Sequence, residues 1–427
     1  MSPASRKPEG AASPAISPAL DKKWIVFVLF ALLLGAALRL CLPGDIEYKD
    51  DEKVMFDMTQ AIRTTGTWPP LGVRTGVGGR HPAMGVWVFG AWTKILPVSS
   101  PPELARGGQI LNILALCLLA FYSLRLTTRE EREAWLWATV FAAVNPFLVL
   151  LQRKIWIPSL LPFFCMLFWM GWRFRHKWPG AFAWGLLGIL LGQIHMSGFF
   201  LSGAVFLWTI WKEREVKWGA WLMGTLVGLP PLLPWIQFVF TNHENGFSKF
   251  NGWWVFYPKY WFYWATDPLG LGLNYSLKTR TFMDFIRYPL LGDHGTYLVG
   301  LLHLLIGALG ILILLAWKKN RGKGPAVLDS SETGKALKVA LGPAGLLMTL
   351  SCIEVCRHYL LMAFPLEGVW LSRMGLCDHE RGRWRLACLW AAELLLTLLF
   401  LYFIHVNHGA PIGDYGVAYQ YQAQPAP

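Results

Sequence analysis

Charge is what this sequence is short of. Only 15% of its 427 residues are Asp, Glu, Lys or Arg, where a soluble globular chain carries about 25%. That shortage excludes an ordinary water-soluble domain. Cysteine is sparse and unpatterned: the seven residues form no CxxC pair and no metal-ligand spacing. The cysteines therefore say nothing firm about redox compartment, and those within apolar blocks act as small hydrophobes. The sequence also lacks a visible internal repeat, which weighs against a transporter built from inverted halves.

What the chain has is apolar mass in long blocks. Apolar residues make up 54%, and many blocks approach the 20 or so residues that match a bilayer's hydrocarbon core. The 24 Trp residues fit a membrane interface. Net charge is +13, but the Lys and Arg residues sit in short clusters between apolar blocks. They read as topology signals, not as one nucleic-acid stripe. Residues 1–23, rich in Ala, Pro and Ser with Arg6, Lys7, Lys22 and Lys23, read as a disordered cytoplasmic tail. The block that follows ends in Arg39-Leu-Cys-Leu-Pro43 with no small-residue cleavage site, so an uncleaved first helix is expected.

The expected fold is an all-α integral membrane bundle of about eleven spans across residues 24–406. They lie near 24–42, 104–124, 133–151, 156–174, 179–195, 197–211, 217–239, 297–317, 336–352, 358–373 and 387–406. With the N-terminus in the cytoplasm, the inner connections are Arg125–Glu133, Arg173–Lys177, Lys212–Lys217, Lys318–Lys338 and Arg373–Arg385. Each is rich in Lys or Arg, as the positive-inside rule requires. Residues 407–427 form a short outer tail. Two long outer loops, 43–103 and 240–296, remain. The first contains an expected surface helix, Asp50–Thr64, with Val54, Met55, Met58 and Ile62 on one face and Gly66 and Pro69-Pro70 to stop it. The second is crowded with aromatics, as in Tyr260-Trp-Phe-Tyr-Trp264, which suits either lipid-substrate contact or an aromatic belt.

The polar residues that bear on chemistry fall on the outer face. Asp50-Asp51-Glu52, with Asp45, Glu47 and Asp57 nearby, suits a general base, a divalent cation such as magnesium or manganese, or a solvated acidic loop. Arg153-Lys154 puts two cations on the outer side, in a turn opening a helix, where they suit a phosphate or lipid headgroups. Gln193-Ile-His195 breaks an apolar stretch too long for one span, so the chain is expected to turn there. Arg357-His358-Tyr359 stands at the mouth of a span, Arg357 suiting either a phosphate or an ion pair with Glu354. Arg39, His303 and Glu393 lie within spans and are expected to tie helices together. Carboxylates and cations thus converge on one face, a pairing that suits transfer from a lipid-linked phosphosugar.

In their order and sidedness these motifs resemble the multi-spanning GT-C glycosyltransferases. The likeness is to the bacterial branch related to protein O-mannosyltransferases and the aminoarabinose transferase of lipid A. It rests on Asp51-Glu52, His81-Pro82, Arg153-Lys154, Gln193-Ile-His195 and Arg357-His-Tyr-Leu-Leu-Met-Ala-Phe-Pro365. The last departs from the family's Arg-Tyr-Leu-Leu-x-x-x-Pro by an inserted His358. The resemblance implies a GT-C bundle, a polyprenyl-phosphate sugar donor and inverting transfer to a glycan, lipid or protein hydroxyl outside the plasma membrane. Carried over, Asp51 is the base and Glu52 its partner, with Asp50 the neighbouring alternative. Asp50, His81, Arg153, Lys154, His195, Arg357, His358 and Tyr359 are the expected substrate contacts. A flippase for lipid-linked sugars and a glycan polymerase or ligase are the competing readings.

Overall fold

The computed structural model describes residues 22–76, 78–126, 128–241, 251–320 and 327–422. All but the last two residues of the expected cytoplasmic tail lie outside that range. The rest is overwhelmingly helical. The first span is α1 (Lys22–Leu40). The surface helix follows as α2 (Asp50–Thr65), entered through a bond from the Lys49 amide to Glu52 and closed at Gly66 in the left-handed region, φ 73°. The first loop continues through a hairpin, β1 (Leu71–Arg74) against β2 (Arg80–Pro82), into α3 (Met84–Ile95).

The bundle then runs through α4 (Pro101–Leu124), α5 (Arg129–Val144), α6 (Pro146–Gln152), α7 (Leu161–Arg173), α8 (Trp178–Ile194), α9 (Ser197–Lys212), α10 (Trp218–Gly228) and α11 (Leu233–Thr241). The second loop supplies α12 (Lys259–Thr266) and α13 (Asn274–Ile286). The chain returns through α14 (Leu298–Lys319), α15 (Glu332–Val339), a π-helical turn over Ala340–Ala344, α16 (Gly345–Leu350), α17 (Leu366–Leu376) and α18 (His379–Val406).

Helix is found at each of the eleven expected places, but not as eleven uniform spans. Among the described residues four helices, α1, α4, α14 and α18, are long and apolar enough to cross a membrane, or up to six if each bent pair is one span. The chain is a multi-spanning membrane protein. The bends have local causes. Asn145-Pro146 breaks α5 from α6 at 59°: Pro146 has no amide hydrogen to give α5, and the Asn145 side chain instead accepts from the Phe147 and Leu148 amides to start α6. Pro230-Pro231 breaks α10 from α11 at 44°.

Buried polar groups tie the helices. Arg39 donates to Gln152 Oε1 at 2.7 Å and to the Ala142 and Ala143 carbonyls at 2.9 Å, joining α1 to α5 and α6. Asn145 donates to Glu393 of α18 at 3.2 Å. His303 departs from the expectation: among the described residues its ring bonds only the Val299 carbonyl of its own helix, and it packs edge-on against Phe282 and Phe285.

The bundle has two unlike ends. The basic connections gather at one. Arg175 bridges Glu213 and Glu332, Lys335 holds both, Arg373 pairs with Asp329 at 3.0 Å, and Arg383 with Glu133 at 2.6 Å. At the other end the first loop, the turns after α6 and α8, and the segment 357–363 converge. The tail after α18 folds over this end as a hairpin, β5 (Gly409–Ala410) with β6 (Gly416–Val417). It is clasped to the first loop by His405 on Asp45 at 2.8 Å and Lys49 on Asp414 at 3.1 Å. The third hairpin, β3 (Leu290–Leu291) with β4 (His294–Gly295), precedes α14.

Candidate active site

The loop end encloses a cavity of about 770 Å³. One wall begins at Glu47, held in register by a β-bridge to Ala418 of the tail and by the Tyr419 amide on the Ile46 carbonyl. The first turn of α2 adds Asp50, Asp51 and Glu52. Glu52 turns inward, 2% exposed, while Asp50 and Asp51 stay exposed at the lip. Helical geometry allows that split: successive side chains on a helix point about 100° apart, so Glu52 can turn inward while its two neighbours stay at the lip.

Lys154 enters from the turn between α6 and α7. Its ammonium lies 3.0 Å from Glu47 Oε2 and 3.4 Å from Glu52 Oε1, and 4.1 Å from the centre of the Trp156 ring. All three charged groups are buried, and together they carry one surplus negative charge if fully ionised. Burial pushes the Glu47 carboxyl up to about 7, against the pull of Lys154. Burial raises Glu52 as well. For Lys154 burial acts to lower the pKa, but the two carboxylates outweigh it and the ammonium is held above its ordinary value.

The facing wall is built of imidazoles. His81, on β2, lies 5.1 Å ring to ring from His195, which follows α8, and His195 lies 5.7 Å from His358. His195 Nδ1 is 2.8 Å from the Ser197 hydroxyl and accepts from the Ser197 amide. His358 Nδ1 is 2.8 Å from the Tyr275 hydroxyl, and its ring packs on Trp156 at 4.6 Å. Burial lowers all three: His81 to about 4, His195 well below the ordinary value, and His358 to about 3 with Lys154 contributing.

Of the ten expected site residues, Asp50, Asp51, Glu52, His81, Lys154, His195, His358 and Tyr359 line this cavity. Arg153 and Arg357 do not. Arg153 turns away from Lys154 and donates to the Leu38 and Leu42 carbonyls at the end of α1, at 2.7 and 3.1 Å. The Leu38 carbonyl lies in the last turn of α1, where no further turn of helix bonds it, while the Leu42 carbonyl, beyond the helix, also accepts from the Asp45 amide at 3.0 Å. Arg357 pairs with Asp267 and Thr266 and packs on Tyr263, beside a separate void of about 30 Å³. Its partner is not Glu354, which pairs with Lys259.

Glu47, read from the sequence only as a neighbour of the acidic run, joins the site as a partner of Lys154. Its one signal was nearness to the acidic run; its pairing partner lies over a hundred positions along the chain. Trp156, beside the Arg153-Lys154 motif, and Asp414 of the outer tail join the same lining, as does Tyr275, which carried no sequence signal. Among the described residues no cluster of three His, Cys, Asp or Glu side chains is placed to hold a metal ion. Glu47 and Glu52, the pair best buried for a divalent cation, already hold the Lys154 ammonium. This donor set does not fit such an ion.

A polar cavity at one end of a multi-spanning helical bundle defines the class of the protein. The sequence matches no described family and no curated protein. The structure is similar to that of ArnT from Cupriavidus metallidurans bound to undecaprenyl phosphate, with a TM-score of 0.48 at 14% identity. It is also similar to the Archaeoglobus fulgidus oligosaccharyltransferase in its apo form, with a TM-score of 0.47 at 13% identity. The matches cover 83% and 94% of this chain, and the chain spans only 60% and 58% of those two proteins.

Proposed function

We propose that this protein is a GT-C-type glycosyltransferase. It moves a sugar from a polyprenyl-phosphate donor to an acceptor hydroxyl at the outer face of the membrane. The observation that carries this reading is the cavity itself: carboxylates on one wall, a buried ammonium between them, and imidazoles lining the same space, all at one end of the bundle.

The residues divide the work. Asp51 stands free of the Lys154 pair, at the cavity lip where an acceptor enters. It takes the acceptor's proton as that oxygen attacks the sugar's anomeric carbon. Glu52 and Glu47 hold Lys154 in place. An ammonium has three donors, and with two turned to carboxylates the third is free for the donor's phosphate. Charge grows on that phosphate as the sugar leaves, so a fixed ammonium there stabilises the transition state more than the ground state. One displacement inverts the anomeric centre. Arg153 and Arg357 act on the scaffold, holding the end of α1 and the end of α12.

The test is incubation of the purified protein with a panel of polyprenyl-phosphate sugars and candidate acceptors, followed by mass spectrometry. The expected result is a new glycosidic bond and free lipid phosphate. Movement of intact lipid between leaflets with no new bond would replace this reading with a flippase.

A further inference from the structure

We infer that His81, His195 and His358 form a proton-coupled seat for a phosphate monoester, taking up a proton when the dianion binds. This deepens the transferase reading and rests on it for the identity of the monoester, the lipid phosphate left after transfer.

Three imidazoles in a row are an unusual lining for a cavity that already holds a cation. None is used by the acid–base chemistry proposed above. His81 Nδ1 is buried with no hydrogen-bond partner. At His195 the Ser197 amide donates to Nδ1, so the neutral ring carries its proton on Nε2, which bonds no group among the described residues. The Tyr275 hydroxyl occupies His358 Nδ1 and leaves Nε2 for the cavity. The centre-to-centre spacings of 5.1 and 5.7 Å spread the rings over the surface a phosphate presents.

The surroundings set the sign of the effect. His195 faces His81, His358 and Tyr359; His358 faces Lys154, Tyr275 and Tyr359; His81 follows Arg80 and faces His195. Among the described residues no carboxylate contacts any of the three rings, so no counter-charge there keeps a proton on them. Burial holds them neutral. A bound dianion supplies the missing counter-charge, and an imidazole then protonates.

Transfer creates that charge. The acceptor oxygen–carbon bond forms and the acceptor's proton goes to Asp51. The carbon–oxygen bond to phosphate breaks with its electron pair on the phosphate oxygen. A diester with one negative charge becomes a monoester with two. Glu47 and Glu52 already match the Lys154 ammonium, so the second charge is left uncompensated, and the seat balances it with a proton from water at the cavity mouth. The donor diester, with one charge, needs no such uptake. The wall therefore separates product from donor by charge, and product release is eased as pH rises.

The linkage has a defined window. Free phosphate monoesters lose their second proton near pH 6. Above that pH the ligand is a dianion, and the complex carries one more proton than its parts until the bound imidazole itself titrates. Across that window affinity falls about tenfold per pH unit.

The test is calorimetric titration of the full-length protein in detergent, in several buffers of different ionisation enthalpy. The ligands are dodecyl phosphate, dodecyl methyl phosphate and inorganic phosphate. The expected result at pH 7 is uptake of about one proton with dodecyl phosphate and none with the diester. Uptake with dodecyl phosphate alone assigns the seat to a lipid headgroup, and equal uptake with inorganic phosphate assigns it to free phosphate; either supports the seat. Monoester binding without proton uptake, or no monoester binding at all, overturns it, and both readings need only the unmodified protein. Uptake undiminished in a folded H81Q/H195Q/H358Q variant would also overturn it. A protein that transfers no sugar yet takes up the proton keeps the seat and loses the transferase, so the two failures are told apart.

Discussion

At the residue scale the decisive pair is Asp51 and Glu47, which look alike in composition and differ in place. Asp51 is exposed and unpaired with Lys154; Glu47 is buried against it. A positioned general base contributes about 10²–10⁴-fold, so Asp51→Asn should lower kcat by that much while the thermal midpoint stays put. Near-normal turnover in that variant would move the base elsewhere, with Asp50 first to test. Glu47 makes a different prediction. Its folded-state pKa of about 7 lies above the ordinary 4.5. Between those values the folded chain holds a proton that the unfolded chain has lost. That stabilisation is complete below about 4.5 and is lost as pH rises through about 7. The thermal midpoint should therefore fall over that window, and Glu47→Gln should flatten the slope; an unchanged slope would assign the titration to another group. Sequence reading found the acidic run, Lys154 and the three histidines because each stands beside an apolar block where charge is costly. It named Glu47 only as a neighbour of the acidic run, because the contact that gives this residue meaning crosses from the first loop to the turn after α6. It misassigned Arg153 because adjacent residues in a turn point opposite ways, and sequence does not say which one faces the cavity.

At the element scale the site depends on how closely the helices approach. Gly185 of α8 sits against the Trp221 carbonyl of α10, and Gly224 of α10 against the Phe182 carbonyl of α8, each too near for a Cβ. Small residues of this kind allow backbones to meet in a membrane, where packing rather than water drives association. Gln193, two residues before His195, also donates to the Gly228 carbonyl at 2.7 Å, so α10 steadies the turn that carries the histidine. Gly224→Val should push the two helices apart, costing about 1–3 kcal/mol as overpacking does. It should lower both the thermal midpoint and phosphate affinity. Gly219→Val, at an open position on the same helix, is the control; equal losses in both would show that helix propensity and not the close approach is at work. The surface helix α2 was legible to within a residue, since its periodic apolar face and Gly66 are local signals. The sharp break after α5 had a local signal too, in Asn145-Pro146, but apolar content alone ran straight across it. The tail's clasp on the first loop had none, because Asp45 and His405 are brought together only by the completed bundle.

At the scale of the whole molecule the claim at stake is direction. The connections rich in Lys and Arg gather at one end, with Lys212, Arg214 and Lys217 exposed there, and the cavity lies at the other. Translocation selects for that arrangement, because basic connections stay in the cytoplasm. The structure's grouping of those connections is what regular alternation across a bilayer demands when each bent pair is one span. The cavity should then open outside. In a chain with its seven native cysteines replaced, Thr65→Cys at the end of α2 should react with a membrane-impermeant maleimide in intact cells. Arg214→Cys at the basic end should react only after the membrane is opened. The reverse pattern would place the cavity in the cytoplasm, and the acceptor would then be a cytoplasmic hydroxyl. The carboxylate wall, Lys154 and the imidazoles would keep their chemistry in either orientation. Sidedness decides which substrates reach them.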